Sequence, residues 1–555
     1  MEQMDNKQIA AAFELLAQLM ELHGQNSFRA KATASAAYKI SKLPFSTNSK
    51  SEEELSTIPG IGASTAKKIK ILEQTGGLPE LEELKSSTPE GILQMLNVKG
   101  IGPKKILILW KELGLETLGE VYYACNENRL IDAKGFGLKT QEQIKKALEF
   151  TFANQGWMRY ASVEPEAERV FEALKKHLGT DRLLQFTGEY RRKNEVLQEI
   201  VILAEATPTE LEKFSEGQEF IASFKLIPTT HEEFFSQLFL TSGAEAHLLE
   251  LAKLQGISGG INSQTLPQAD SEEEIYRHFG LQYVAPELRE GLGEIEIARQ
   301  HALPTLIEEK DLKGSLHNHS TYSDGVHSLE EMALYCRDHL GLQYLGISDH
   351  SKTAVYAGGL SIEKVQAQWE EIDRLNQQLA PFHIFKGIES DILSDGSLDY
   401  PDEILQGFDF VVASIHSNLK MDREKANERL IRAIENPFTT ILGHPTGRLL
   451  LAREGYAIDH KKVIDACAAN QVVIEINANP LRLDLDWRWH QYAISKGVLL
   501  SINPDAHRTS GLHDMRYGVM VARKGGVAVS NCLNTFSLEE ITNYFSAKKP
   551  KSLSI

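Results

Sequence analysis

The stretch Asp311 to Gly325, DLKGSLHNHSTYSDG, constrains this chain most, because it opens a series of short apolar runs that each stop at a metal-ligand type of residue. Leu342 to Ile347 leads to Asp349-His350, Phe382 to Ile388 ends in Glu389, and Phe408 to Ile415 runs into His416. Thr439 to Leu442 runs into Gly443-His444. Val472 to Ile476 contains Glu475 and leads to Asn477, and Val498 to Ile502 leads through Pro504 to Asp505-Ala506-His507. Stretches of helical spacing, Ser361 to Leu379 and Asp459 to Ala469, lie between these runs. Strand, ligand and helix in repeating order predict a βα barrel, whose site lies at the carboxyl ends of the strands.

One histidine at a strand end is ordinarily a hydrogen-bonded surface or core residue. Repetition at successive strand ends points instead to a shared centre. The candidate ligands are His317, His319, Asp324, His350, Glu389, His416, His444, Asp505 and His507. So many mixed imidazole and carboxylate ligands exceed the four that a tetrahedral zinc takes. They suit two or three divalent ions such as Mn²⁺, Zn²⁺ or Fe²⁺ sharing a bridging carboxylate, for which Glu389 is the natural choice. No cysteine is among them, which argues against a soft thiolate site. An open cluster of this kind activates water for phosphoester hydrolysis.

In this order, H-x-H-S with S-D-G, then D-H, E, H, H and D-A-H resemble the polymerase and histidinol phosphatase (PHP) domain, in the form found at the carboxyl end of bacterial family X DNA polymerases. ILSDGSLDYPDE (392–403), LGHPTGRLLLAREGY (442–456) and EINANPLRLDL (475–485) are similar to stretches in that family. The resemblance implies a distorted (β/α)7 TIM-like barrel over 306–555, with Glu389, Asp505 and His350 as catalytic residues among the ligands. It also implies a metal-dependent 3′-to-5′ exonuclease or 3′-end-processing phosphoesterase.

The 555-residue length suits three or four domains of roughly 100–200 residues. Cys125, Cys336, Cys467 and Cys532 are scattered without a C-x-x-C pair, which fits reduced thiols. With no leader-like segment and no long apolar run, the sequence predicts a soluble cytoplasmic protein, taken as a monomer without membrane contact. The net charge of −18 is unusual for a DNA-binding protein, but it is unevenly spread. Residues 1–150 are neutral, 151–310 carry −12 and 311–555 carry −6. An acidic chain can bind DNA through one neutral module.

Residues 1–150 supply that module as an all-α region. Ile58-Pro-Gly-Ile-Gly62, Val98-Lys-Gly-Ile-Gly102 and Ala133-Lys-Gly-Phe-Gly137 repeat one pattern, each entering a lysine-bearing helix and each resembling a helix-hairpin-helix. The glycine pairs Gly60 and Gly62, Gly100 and Gly102, and Gly135 and Gly137 permit tight turns and close phosphate approach. The helix N–H groups and lysines such as Lys104 and Lys105 face the anion. The expected partner is DNA, gapped or 3′-ended, bound without sequence preference. Asn26-Ser-Phe-Arg-Ala-Lys-Ala with Ala36-Ala-Tyr-Lys resembles the start of the eight-kilodalton domain of family X polymerases. By that resemblance Lys68 falls where lyase-proficient members form a Schiff base, although a phosphate-contacting or solvated lysine is the plainer reading.

Residues 151–305 resemble the family X palm and fingers, an α+β domain, but depart from it where the chemistry lies. The family motif G-S-x-R-R-x-x-E-x-x-x-D-x-D stands here as Gly188-Glu-Tyr-Arg-Arg-Lys-Asn-Glu-Val-Leu-Gln-Glu199-Ile-Val201, and the third carboxylate falls on Ser223. Two-metal phosphoryl transfer needs anionic oxygens, and valine offers none. T-G-S-K-x-H-N appears as Ser242-Gly-Ala-Glu-Ala-His247-Leu, with Glu245 in place of a phosphate-binding lysine. The expectation is a DNA repair protein that keeps the palm as a scaffold and processes 3′ ends in its barrel. The alternatives are a working polymerase of base excision repair, a non-catalytic DNA-binding scaffold, and a phosphatase acting on a small monoester.

Overall fold

The computed structural model describes residues 4–126, 130, 133–153, 156–451 and 454–549, so Ala452 and Arg453 of the 442–456 stretch lie outside it. The chain divides into two compact units, Met1–Gln155 and Gly156–Ile555.

Among its described residues the first unit is helical throughout. Asp5 caps Asn6–Leu22 through a reciprocal box with Gln8, so the helix starts where its free N–H groups find an acceptor. Ile9, Phe13 and Leu16 on its inner face join Ile40, Ile69, Ile106 and Leu109 in one buried cluster. The three hairpins share one turn, closed by Ile61 N to Ile58 O (2.9 Å), Ile101 N to Val98 O (3.2 Å) and Phe136 N to Ala133 O (3.0 Å). Gly60, Gly100 and Gly135 take φ of +91°, +89° and +82°, where a side chain would be strained. Gly62 and Gly102 then cap Ala63–Thr75 and Pro103–Leu107 with no side-chain acceptor, and Leu138–Ala153 begins directly after Gly137.

In the second unit a three-stranded sheet comes first. Ile200–Glu205 is central, between antiparallel Leu184–Thr187 and parallel Phe224–Thr229. Tyr160–Leu178 and Pro208–Glu216 pack on it through Val170, Leu174, Leu211 and Phe214. This is the α+β layer expected for the palm.

The barrel follows as seven parallel strands paired in sequence order, from Gly314–Ser315 through Tyr344–Ile347, His383–Asp391, Phe410–Ser414, Ile441–Leu442 and Val473–Asn477 to Leu500–Asn503. First and last strands meet through an Asn318–Ala506 bridge, so the sheet is nearly closed, as the (β/α)7 reading expects. The interior is packed: a Cβ on Gly346 or Gly387 would strike the Phe410 ring. Phe545 of the last helix, Leu538–Lys548, stacks on Phe410 and meets Phe385 edge-on, closing the floor opposite the strand ends.

Palm and barrel share a core. Tyr160, Val163, Tyr190, Leu197 and Ile200 belong to the same buried cluster as Trp487, Tyr517 and Met520. Glu195, in the palm motif, accepts from Trp487 Nε1 at 2.9 Å and Arg488 Nη1 at 3.0 Å. Tyr517 Oη donates to Glu164 at 2.8 Å, and Lys524 reaches Glu290 and the Arg192 carbonyl. A boundary at 305 therefore divides the chain but not its packing. Among the described residues no helix is long and apolar enough to cross a membrane.

Candidate metal centre

The strand ends bring all nine sequence-predicted ligands together. His317 and His319 follow the first strand, His350 the second, His416 the fourth, His444 the fifth, and Asp505 and His507 the seventh. Glu389 lies within the third strand and Asp324 in the loop after the first. Glu389 is the hub. Its Oε1 lies 3.0 Å from His444 Nε2, 3.1 Å from His416 Nε2 and 3.3 Å from His317 Nε2. Its Oε2 lies 2.9 Å from His350 Nδ1 and 3.7 Å from His319 Nε2. Asp505 Oδ1 is 3.1 Å from His319 Nε2, and Asp324 Oδ1 is 3.3 Å from His507 Nε2 and 3.7 Å from His350 Nε2.

Three overlapping groups have ligand atoms close enough to hold one ion each: His319, Asp324, His350 and His507; His317, His319 and Asp505; His350, Glu389 and His416. His319 Nδ1 is buried and, among the described residues, has no hydrogen-bond partner, while His317 Nε2 and Glu389 Oε2 meet only other members of the cluster, which costs free energy unless something else satisfies them. The donor set therefore fits a cation cluster.

The electrostatics agree. Burial alone would push Glu389 up, but His416, His317 and His350 hold it well below the usual carboxylate range. Asp324, although partly buried, is held near 2 by His507. Against the cost of burial, Glu389 and Asp391 raise His416 to about 10, while Asp324 and Asp505 raise His507 to about 9. Burial, with His507 and His350 alongside, lowers His319 to about 3. A field strong enough to force protons onto buried imidazoles is one that a divalent cation would answer instead.

Several supporting residues were not assigned a role from sequence. Glu475, buried in mid-strand, lies 2.7 Å from His317 Nδ1 and accepts from the His444 N–H at 2.8 Å. Asp391 lies 2.5 Å from His416 Nδ1. Asp349, next to His350, turns away and accepts from Ser320 N, Ser320 Oγ, Ser323 Oγ and Gln368 Nε2, fixing the loop that carries Asp324. An acid in an apolar strand was the available signal for Glu475, since a buried charge needs a partner.

Among the described residues the palm has no comparable set. Glu199 is half-buried, Val201 is buried and touches the position a Gly188 side chain would occupy, and Ser223 is exposed. Lys225 pairs in register with Val201. Both palm arginines are engaged: Arg191 makes two bonds to Glu272 (3.1 and 2.5 Å) and one to Ser242 (2.6 Å), and Arg192 bonds Glu290 at 2.9 Å. His247 is buried between Glu294 (2.6 Å) and Tyr276 (2.9 Å). In the first unit, Lys68 forms a 2.6 Å ion pair with Glu80, which Arg29 also pairs. Lys104 is exposed, and Lys105 donates to the Gly100 carbonyl at 3.0 Å.

Comparison with known proteins agrees with this arrangement. A helix-hairpin-helix domain model matches residues 4–78, a SAM-like helix-hairpin-helix tandem matches 92–149, and a PHP domain model matches 315–479. The chain is 28% identical to a probable phosphatase of Thermoanaerobacter sp. (strain X514), over 38% of this chain and 85% of that one. It is 31% identical to a probable phosphatase of Caldanaerobacter subterraneus subsp. tengcongensis, over 25% of this chain and 51% of that one. With the DNA polymerase/3′-5′ exonuclease PolX of Bacillus subtilis (strain 168) it shares 34% identity over 97% of this chain and 99% of that one. Matched end to end in this way, the chain belongs to the bacterial family X DNA polymerases that carry a C-terminal PHP domain.

Proposed function

We propose that residues 306–555 form a metal-dependent phosphoesterase that trims or repairs the 3′ ends of DNA. In this reading residues 1–150 hold the DNA without sequence preference, and residues 151–305 are a palm that no longer transfers nucleotides. The observation that carries the reading is the contrast between two sites of one chain: eight ligand-type side chains form ion-sized groups in the barrel and His444 joins them through Glu389, while the palm offers Glu199, Val201 and Ser223.

His317, His319, Asp324, His350, Glu389, His416, His444, Asp505 and His507 would hold two or three ions such as Mn²⁺, Zn²⁺ or Fe²⁺. When bound, such ions lower the pKa of water and offset charge on a phosphate. The chain's own part is orientation. Glu389 turns one oxygen to His416 and His444 and the other to His350, as a bridging group must. Glu475 and Asp391 each engage the outer nitrogen of a histidine, so that the inner nitrogen faces the centre. At the other end of the chain, three hairpins present helix N–H groups and lysines suited to phosphates rather than base edges.

The test is metal analysis beside an exonuclease assay. Protein as purified is expected to hold more than one equivalent of metal, and chelation is expected to abolish 3′-end hydrolysis. His317→Ala with His319→Ala should do both at once, and an undiminished exonuclease rate in that double variant would sink the assignment. The similarity to two probable phosphatases favours a second reading, hydrolysis of a small phosphate monoester. Assaying one preparation on 3′-ended DNA and on a small monoester separates the two.

A further inference from the structure

Arg482 is the one arginine or lysine, among the described residues, that forms an ion pair with any of the nine predicted ligands. Its Nε lies 3.7 Å from Asp505 Oδ2, beyond hydrogen-bond range. Its guanidinium donates no hydrogen bond to the described residues, and its side chain, 19% exposed, lies beside Asp505 within reach of solvent. Asp505 Oδ2 already accepts from Asn477 Nδ2 at 3.2 Å, so the arginine is not needed to pair that oxygen.

A long cationic side chain is useful at one place only if its backbone is fixed, and here it is fixed from several sides. Arg448 donates from Nε to the Arg482 carbonyl at 2.9 Å and from Nη2 to the Leu483 carbonyl, while its Nη1 binds Asp486 at 2.6 Å. The Leu450 N–H reaches the Leu481 carbonyl at 2.7 Å. The Asp484 carboxylate accepts from the N–H groups of Thr446 (2.9 Å) and Gly447 (3.0 Å), just after His444. Arg488 joins Asp486 to Glu195 of the palm.

We propose that Arg482 is a substrate-binding residue of this centre, gripping a non-bridging oxygen of the phosphate under attack. The proposal rests on the phosphoesterase reading and adds the residue that recognises the anion. Guanidinium presents a planar fork of donors matched to phosphate oxygens, which the ammonium of lysine does not. Its two Nη groups donate no hydrogen bond among the described residues, so they can engage a ligand without breaking one.

The experiment uses the full-length, metal-loaded protein and inorganic phosphate as the probe. Phosphate binding is measured by calorimetry, and metal content by elemental analysis, for wild type, Arg482→Ala and Arg482→Lys. Arg482→Ala is expected to keep its metal while its phosphate affinity falls about 10- to 100-fold, the scale of a charge-assisted hydrogen bond. Its kcat/KM on 3′-ended DNA should fall in parallel, and Arg482→Lys should lie between. Unchanged phosphate affinity in Arg482→Ala would overturn the proposal. So would loss of metal from that variant, because Arg482 would then be positioning Asp505. If wild type hydrolyses no phosphoester but Arg482→Ala still loses phosphate, the phosphoesterase reading fails while this assignment stands.

Discussion

Removing the Glu195 carboxylate tests whether the palm braces the barrel. Glu195 is buried and accepts from Trp487 Nε1 and Arg488 Nη1. Trp487 is also buried, so Glu195→Ala leaves an indole N–H without an acceptor, at a cost of about 1–3 kcal/mol. Arg488 is half exposed and keeps Asp486, so losing Glu195 there adds no more than about 1 kcal/mol. The sum is about 1–4 kcal/mol. Spread over the unfolding entropy of a unit this large, that lowers its Tm by roughly 1–5 °C. Glu195→Gln keeps an acceptor for Trp487 and should cost less than half as much. Calorimetric unfolding of the full chain reads the difference, and Trp487 offers a fluorescence signal at the site itself. An alanine variant that melts with wild type, or a glutamine variant that melts below alanine, would refute the reasoning.

Primer extension is expected to be absent with either Mg²⁺ or Mn²⁺, because Val201 cannot coordinate a cation; templated synthesis at rates ordinary for the family would show the palm has been misread. A 1–155 fragment should bind DNA of unrelated sequences equally, with affinity falling steeply as salt rises, by a log–log slope of about 0.9 per neutralised phosphate; if only a 156–555 fragment binds, the hairpins are not the DNA site. Stability should fall as pH drops below the ordinary histidine range. His247 is held below its usual pKa by burial, so the unfolded chain gains a proton there first, and Glu294, held low by His247 despite its own burial, gives way at lower pH. His247→Gln should flatten the upper part of that melting profile, and an unchanged profile would count against the pair.

The ligands were legible because each breaks an apolar run, and a barrel sends such residues to one mouth. Asp349 and His350 show the limit of that signal. They are neighbours at one strand end, yet the histidine meets Glu389 while the aspartate is consumed by two serines and a glutamine. Glu475 was visible as an acid in an apolar strand, but its contact with His317 spans 158 positions and only the closed sheet makes it. The palm network was less legible still. Arg191 and Arg192 match the family motif letter for letter, but their partners, Glu272 and Glu290, lie 81 and 98 positions away, and nothing in the sequence pairs them. Sequence similarity made the arginines recognisable, but only the structure shows the carboxylates that engage them.

The two sites can also be weighed as costs. Three carboxylates held together without cations repel one another, and valine and serine at two of the three family positions leave no such repulsion to be offset. Val201 pairs within the central strand of the sheet, where a β-branched residue packs well and an unpaired aspartate would be expensive. The barrel runs the other way. It keeps buried imidazoles and carboxylates around Glu389, some with atoms that meet no hydrogen-bond partner, where apolar residues of similar size would stabilise the fold. Such a cluster persists at a net cost unless a bound cation offsets it. The same physical rule, that buried charge must be answered, bears on Val201 and Ser223 in the palm as it does on the ligand cluster of the barrel.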